Sequence, residues 1–262
     1  MKNQLKKIAA ICFAALIACP CVMADEKFDL DMVKIPGKNF EMLRTEVTQE
    51  LYEAVMGVNL SYFCHDNKAL DKDKLKNMNK STSNYPVESV NWYDAIFFCN
   101  KLSEKEGLQP VYAVDGKTSV RKWGYKPHND NEIYGKITQN IFADGYRLPT
   151  VKEWKYAAKG GDYYDYSGSD DIDKVAWYAD NSNKVSHPVA QKKSNGYGLY
   201  DMNGNVWEWC WDSYDYSNRW YCGGSWRGSD YNCDVDVFGV LNDNAINRYF
   251  DVGFRIVRST GK

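Results

Sequence analysis

The sequence predicts a single α+β domain of irregular architecture, with short strands, few helices and long loops. Its 262 residues are 44% hydrophobic and 26% charged, which is enough apolar material to bury a substantial core. Only three segments repeat apolar residues with helical spacing. The rest of the chain consists of short aromatic-rich runs separated by glycine and asparagine. With no internal repeat to divide it, we expect one domain over residues 31–262.

The first elements follow from turn and capping residues. Residues 32–37 predict a strand that ends in a Pro-Gly turn. Thr48 is the expected N-cap of a helix that stops at Gly57. The stretch 66–84 is rich in lysine and asparagine, and it predicts a solvated loop.

Two further helices are predicted from their caps. Asn91 precedes a segment whose apolar residues fall on one helical face, and Gly107 is the expected stop. Thr150 and Glu153 have the spacing of a capping box, so a third helix is predicted to begin there.

The N-terminus predicts export. Three lysines precede an apolar run over residues 8–18 that is too short to span a membrane, so residues 1–18 are interpreted as a signal peptide. Two endings stay open. The segment 16–19 resembles a bacterial lipobox, in which Cys19 would be acylated, whereas cleavage after Ala24 would release a soluble protein. Lipidation at Cys19 is favoured because the cysteine directly follows the apolar run. Residues 19–30 would then be a tether that holds the domain on the bacterial outer surface through a lipid anchor.

Charge and cysteine usage exclude several function classes. The formal net charge is −2 and the lysines alternate with acids, so no nucleic-acid partner is expected. Of eight cysteines, five fall in the folded body, none with CxxC spacing. Cys99 and Cys210 lie among apolar neighbours and are predicted to be buried free thiols. Three histidines are scattered without metal-ligand spacing: His65, His128 and His187.

Six motifs in a fixed order carry a family resemblance. They are EVTQ (46–49), PVESVNWYDA (86–95), YRLPTVKEW (146–154), GLYDMNGNVWEW (198–209), GGSW (223–226) and GFR (253–255). Their order resembles that of the formylglycine-generating-enzyme (sulfatase-modifying-factor) family. That resemblance implies an α+β C-type lectin fold of the formylglycine-generating-enzyme type. Function has to be argued separately, because one fold serves many activities.

Enzymes of that family bind copper through two cysteines, at the third and eighth positions after the serine of the GGS motif. Thiolates suit a soft copper(I) ion. Here these positions hold Gly228 and Cys233, so one ligand is missing, and Cys222 would have to replace it from before the motif. We therefore expect that this protein is not an enzyme. The alternative is a copper-dependent formylglycine-generating oxidase that acts on a sulfatase cysteine.

The same resemblance implies a structural calcium ion, with no other cofactor required. Relatives hold calcium through the segment that corresponds to Asn203, Gly204, Val206 and Glu208, where backbone and carboxylate oxygens suit a hard cation. Glu208 lies between two tryptophans, so its carboxylate could instead accept backbone N–H bonds.

The C-terminal interval lacks five residue types. From Arg227 to Gly261 there is no Lys, Glu, Gln, Met or Trp, although composition alone would give roughly seven or eight. These are the five amino acids that an AAC or AAT codon cannot reach when only its two adenines are randomised. The pattern resembles the variable proteins of diversity-generating retroelements, whose adenine-mutagenised segment lies at the C-terminus of this fold.

That resemblance implies a hypervariable ligand-binding surface within about 221–251, on a frame that includes Arg248, Gly253 and Arg255. Aromatic side chains would provide contact area and amides adaptable polar contacts, whereas Val235 and Val252 are predicted to be core. The expected ligand is an external protein or cell-surface molecule, bound by a monomer. The predicted binding positions are Tyr221, Arg227, Gly228, Ser229, Tyr231, Asn232, Asp236, Phe238, Val240, Leu241, Asn242, Asp243, Tyr249, Phe250 and Asp251.

Overall fold

The computed structural model describes residues 27–235 and 240–261. The predicted signal peptide, the lipidation site Cys19 and the alternative cleavage site after Ala24 lie outside the described residues. Two of the predicted binding positions, Asp236 and Phe238, also lie outside them.

Five α-helices occur in the described part of the chain. They are α1 (Gln49–Met56), α2 (Lys72–Lys76), α3 (Trp92–Lys105), α4 (Val151–Lys159) and α5 (Ile172–Val175). The prediction that 66–84 is entirely loop is wrong, because α2 lies within it. Asp71 caps this short helix by accepting the backbone N–H of Asp73 at 2.8 Å, a local bond that the lysine-rich composition does not reveal.

The predicted helix caps are confirmed. Thr48 accepts the N–H of Leu51 at 3.2 Å. Asn91 with Asp94 and Thr150 with Glu153 each form a reciprocal capping box. These bonds satisfy N–H groups that a helix start leaves without an intrahelical partner, so the local sequence fixes where α1, α3 and α4 begin.

Short strands make up three sheets among the described residues. The strands are β1 (Met32–Lys34), β2 (Phe40–Leu43), β3 (Tyr112–Val114), β4 (Ile137–Gln139), β5 (Tyr146–Arg147), β6 (Trp207–Ser213), β7 (Asn218–Cys222), β8 (Val240–Asn244), β9 (Val252–Gly253) and β10 (Val257–Ser259). One sheet has the order β1-β2-β10-β5, a second pairs β3 with β4, and the third has the order β8-β7-β6-β9. The predicted α+β architecture of short strands, few helices and long loops is confirmed.

Tryptophans join α3 to the third sheet. The indole N–H of Trp92 donates to the carbonyl of Cys210 at 2.9 Å, and that of Trp209 donates to the carbonyl of Val90 at 3.0 Å. Trp92 also packs on Trp211, with ring centroids 5.3 Å apart. Large rings with their one polar group satisfied bury much apolar area, and they fix the third sheet against the helix.

The five described cysteines are buried free thiols, which confirms the prediction for Cys99 and Cys210. Val235 and Val252 are each 2% exposed, as predicted for core residues. The described residues contain no helix with the length and apolar character needed to cross a bilayer.

A fully buried ion pair connects four segments of the chain. The Arg255 guanidinium donates to Glu208 at distances down to 2.7 Å, and it also donates to the backbone carbonyls of Leu43, Arg44 and Tyr200. Trp154 on α4 donates its indole N–H to the same carboxylate at 2.7 Å. The guanidinium and the carboxylate both have full sets of partners, so the charges are compensated without water.

Other buried carboxyl groups have raised pKa values. Burial raises the pKa of Glu88 to about 7, although the N–H of Phe63 and the hydroxyl of Ser89 favour its charged form. Burial likewise raises the pKa of Asp201 to about 6, while Arg255 opposes the shift. Both groups therefore bind a proton more tightly in the folded protein than in the unfolded chain.

We expect Glu208→Gln to lower the free energy of unfolding by about 3–5 kcal/mol, because it leaves the buried Arg255 charge uncompensated. Urea unfolding monitored by tryptophan fluorescence measures this loss. Lys76→Ala is the matched control, since Lys76 and Asp73 form a pair with side chains 75% and 85% exposed. An exposed pair contributes little, so a Glu208→Gln loss no larger than the control's would contradict the assignment.

Stability should fall as the pH rises from about 4 to about 7. An acid whose pKa is raised on folding stabilises the protein fully below its unfolded pKa, and this contribution is lost as the pH rises through the folded value, here about 7 for Glu88 and about 6 for Asp201. Glu88→Gln removes one of the titrating groups but keeps an acceptor for Phe63. Unfolding free energies measured at several pH values should therefore depend less on pH in this variant. Glu53→Gln, at an exposed carboxylate, should keep the wild-type slope; equal slopes in all three proteins would sink the interpretation.

Candidate ligand-binding cleft

A cleft of about 460 Å³ opens at the C-terminal part of the chain. Strands β7 and β8 form one side, with register pairs that include Tyr221 opposite Leu241. The segments around 225–232 and 249–252 form the other. The lining residues are Trp207, Tyr221, Ser225, Arg227, Gly228, Asn232, Leu241, Asp243, Tyr249, Asp251 and Val252.

Eight of the fifteen predicted binding positions line this cleft: Tyr221, Arg227, Gly228, Asn232, Leu241, Asp243, Tyr249 and Asp251. They lie on two strands and two loops that are far apart in the sequence. The remaining lining residues, Trp207, Ser225 and Val252, were not among the predicted positions. Trp207 and Ser225 belong to the six motifs that carry the family resemblance, and Val252 was predicted to be core. Only the tertiary structure shows that these three residues also line the cleft.

Other predicted positions lie outside the cleft. Ser229 and Tyr231 are exposed on a 3₁₀ turn next to it. Asn242 lies between Leu241 and Asp243 on β8 and so is on the opposite face of the strand. Val240 begins β8 and pairs with Cys222.

Phe250 is half-buried and packs into an aromatic cluster rather than facing the cleft. Its ring centroid lies 5.8 Å from that of Trp226 and 6.5 Å from that of Phe63. The ammonium of Lys74 on α2 lies 5.3 Å from the same ring. Phe250 therefore connects the segment 249–252 to α2 and the loop around Phe63.

The structure corrects two positions that were expected to be surface contacts. Tyr221 is 8% exposed and packs edge-on against Trp207 and Trp209, so only its edge faces the cleft. Asp251 is 2% exposed, and its Oδ2 accepts hydrogen bonds from Ser225 and Arg227. Asp251 is thus a buried support of the cleft. The alternation of polar and apolar residues in the sequence does not predict this burial, because it comes from packing against the GGSW segment.

Glycine is required beneath the cleft. Gly224 has φ of +82°, and a Cβ there would lie 2.8 Å from the Cys233 sulfur and 2.9 Å from the Asn232 carbonyl oxygen. The GGSW segment thus comes too close to the 3₁₀ turn for any side chain.

Arg248 and Arg255 hold the frame, as their sequence context predicted. Arg248 donates from Nε to the buried Asp94 on α3 at 2.9 Å. It also donates to the backbone carbonyl of Asp130 at 2.9 Å. With Arg255 fixed on Glu208, both ends of the segment 248–255 are tied to the rest of the fold.

The cysteine positions of the family's copper site do not provide a thiolate pair. Gly228 lines the cleft without a ligand atom. Cys233 is fully buried, and burial, with a smaller contribution from Asp230, raises the pKa of its thiol to about 12. Cys222 lies in a different apolar cluster, with its sulfur 3.7 Å from that of Cys210. A neutral, buried thiol is a poor nucleophile and a poor metal ligand.

The predicted calcium segment has its side chains engaged elsewhere. Both oxygens of Glu208 accept from Arg255, and one also accepts from Trp154. The side chain of Asn203 accepts from Ser167 at 2.6 Å and donates to the carbonyl of Cys233. A cation bound by the Glu208 carboxylate would have to lie beside the Arg255 charge, so this side chain does not fit a calcium ion. Over residues 27–235 and 240–261, no group of three or more His, Cys, Asp or Glu side chains is arranged to hold a metal.

The chain is similar in sequence to several known proteins. The Chaperone protein LppX of Paenibacillus barcinonensis is 36% identical over 250 residues, which cover 84% of this chain and 80% of that protein. The Inactive C-alpha-formylglycine-generating enzyme 2 of Bos taurus is 36% identical over 137 residues, which cover 45% of this chain and 46% of the bovine protein. The bovine relative is named as inactive, and LppX is named as a chaperone.

Among solved structures, Treponema denticola variable protein 1 is similar, with a TM-score of 0.73 and 34% sequence identity, covering 88% of this chain and 92% of that chain. This confirms the C-type lectin-like α+β fold, and it shows that the chain resembles a treponemal variable protein. The family described as Sulfatase-modifying factor enzyme 1-like domain matches residues 21–260. The chain therefore belongs to the sulfatase-modifying-factor family, whose members include the formylglycine-generating enzymes.

Proposed function

We propose that this protein is a lipid-anchored surface protein that binds an external ligand, a protein or cell-surface molecule, through the C-terminal cleft. In this proposal a retroelement diversifies the residues that line the cleft. The bilayer anchor is the acylated Cys19, and the folded domain has no catalytic role.

One observation carries the proposal. Eight positions that were predicted from the sequence meet at a single cleft, although they come from different strands and loops. Positions that vary independently for binding have to share one surface, whereas a chance deficit of five residue types requires no spatial cluster. Loops supported by a rigid scaffold are the usual place for such a binding surface.

The supports of the cleft differ in character from its lining. The supports come from the GGSW and GFR motifs, and they are buried with their polar groups hydrogen-bonded: Ser225, Trp226 and Arg255. By contrast, Leu241 in the lining is 41% exposed, and the side chain of Arg227 is 48% exposed. Substitutions at exposed positions usually change stability by only about 0.5 kcal/mol, so these two lining positions can vary while the frame remains folded.

The similar proteins support the proposal from a different direction. A solved structure that covers 88% of this chain is named a variable protein. The formylglycine-generating alternative requires thiolate chemistry, and here the remaining thiol, Cys233, is buried with a raised pKa.

A peptide-display experiment tests ligand binding at the cleft. Peptides are selected on the wild-type protein from a random library displayed on phage, and the double variant Leu241→Asn, Tyr249→Ser is assayed with them. We expect binding to fall at least tenfold, because both side chains line the cleft. The control variant Tyr163→Ser, Tyr216→Ser removes two aromatic side chains that are 104% and 96% exposed elsewhere, and it should bind normally. Equal binding by both variants would show that the cleft is not the binding surface.

The coding DNA tests diversification separately. Codons for the cleft-lining positions of the interval should end in C or T, and a nearby template repeat should carry AAC or AAT codons at the matching places, close to a reverse-transcriptase gene. A locus without a template repeat and reverse transcriptase would contradict diversification while leaving ligand binding open to the display experiment.

A further inference from the structure

We infer that the cleft recognises a carboxylate group, presented by an acidic side chain of its ligand, and that Arg227 is the residue that binds it. This inference rests on the proposed ligand-binding function and assigns the ligand chemistry of the same cleft. It concerns the residues of this chain, and a variant with another residue at position 227 would have a different preference.

The guanidinium of Arg227 is held in place through Nε, and its two terminal nitrogens are available to a ligand. Its Nε donates to Oδ2 of Asp251 at 2.6 Å, and the centre of its guanidinium lies 4.9 Å from the centroid of the Phe250 ring. Asp251 is itself fixed by the hydroxyl of Ser225 at 3.0 Å. No described residue accepts a hydrogen bond from the two terminal nitrogens of Arg227, and the side chain is 48% exposed. A planar guanidinium fixed through Nε can offer its outer N–H groups to a carboxylate in the bidentate geometry.

Two more donors line the same cleft. The side-chain oxygen of Asn232 accepts from the backbone N–H and the hydroxyl of Ser229, whereas no described residue accepts from its amide nitrogen. The Tyr221 hydroxyl lacks a hydrogen-bond partner in the described structure. Burial, with Asp243 and Asp251, raises the pKa of Tyr221, which keeps it a neutral donor.

Two carboxylates, Asp243 and Asp251, also line the cleft. Oδ2 of Asp251 accepts from Ser225 and Arg227, whereas its Oδ1 is buried without a hydrogen-bond partner among the described residues. Oδ1 of Asp243 accepts from the amide of Asn247 at 2.9 Å and from the backbone N–H of Asn244. A ligand that enters the cleft therefore meets unpaired N–H and O–H groups. If the ligand accepts no hydrogen bonds from these donors, they are removed from water without a partner, and the binding free energy becomes less favourable.

A guanidinium can bind either a carboxylate or a phosphate, and the negative charge of Asp243 favours the carboxylate. Arg227, Asp243 and Asp251 together give the cleft one net negative charge, which disfavours a phosphate dianion more strongly than a singly charged carboxylate. The structure thus favours an aspartate or glutamate side chain over a phosphorylated one.

Titration with small probes tests the inference directly. The ¹⁵N-labelled protein is titrated with the α-amide of N-acetylglutamate, with the neutral α-amide of N-acetylglutamine and with inorganic phosphate. We expect only the glutamate compound to shift the side-chain signals of Arg227 and Asn232. Equal shifts with the glutamine compound would overturn the requirement for a carboxylate, and larger shifts with phosphate would replace carboxylate by phosphate.

Three variants refine the titration. Arg227→Gln should abolish the shifts, and Arg227→Lys should weaken binding because a single ammonium lacks the bidentate geometry. Asp243→Asn should bind the glutamate compound about threefold more tightly, since it removes a like charge near the ligand. Arg121→Gln, at an exposed arginine outside the cleft, should match the wild type. Retained binding by Arg227→Gln, or weaker binding by Asp243→Asn, would contradict the inference.

The outcomes separate this inference from the proposed function. The displayed peptides selected on the wild type are also assayed with Arg227→Gln. If that variant retains peptide binding while Leu241→Asn, Tyr249→Ser loses it, the cleft is a binding site and the carboxylate inference fails. If neither variant loses peptide binding, the proposed function itself fails.

Discussion

The buried pair of Arg255 and Glu208 is the interaction on which the rest of the fold depends. Arg255 follows β9, Glu208 is on β6, and the additional acceptors lie at the end of β2 and at residues 44 and 200. Trp154 brings α4 to the same carboxylate. The first and third sheets have no strand in common. This network therefore positions the sheet that carries the cleft against the sheet that contains β1 and β2.

A buried charge network of this kind constrains its surroundings. Glu46 and Asp201 lie close enough to influence the same network, and burial raises the pKa of both carboxyl groups. Arg255 is fully buried beside them. The raised pKa values of these buried acids link the stability of the protein to pH.

The same frame supports the cleft from within the fold. The supports are anchored from within, with Asp251 held by Ser225, Trp226 donating to the carbonyl of Phe250, and Arg248 held by Asp94. Arg227 and Leu241 are exposed lining residues, whereas Trp207, Tyr221 and Val252 line the cleft from the core. The positions of the family's copper ligands fit this division as well, since Gly228 forms part of the cleft wall and Cys233 packs in the interior.

The sequence by itself determined the features that depend on local chemistry. Helix starts at Thr48, Asn91 and Thr150 follow from side chains that reach N–H groups three residues away. The motif order identifies the family. The absence of five residue types from Arg227 to Gly261 is a property of composition, so the linear sequence alone reveals it. Only the tertiary structure decided which of those positions share a surface. Tyr221 and Asp251 are buried because the GGSW segment and the tryptophans of β6 pack against them, Glu208 is engaged by an arginine 47 residues away, and Arg227 has free terminal nitrogens because Asp251 takes its Nε. Such contacts join residues far apart in the sequence, and local patterns contain no information about them.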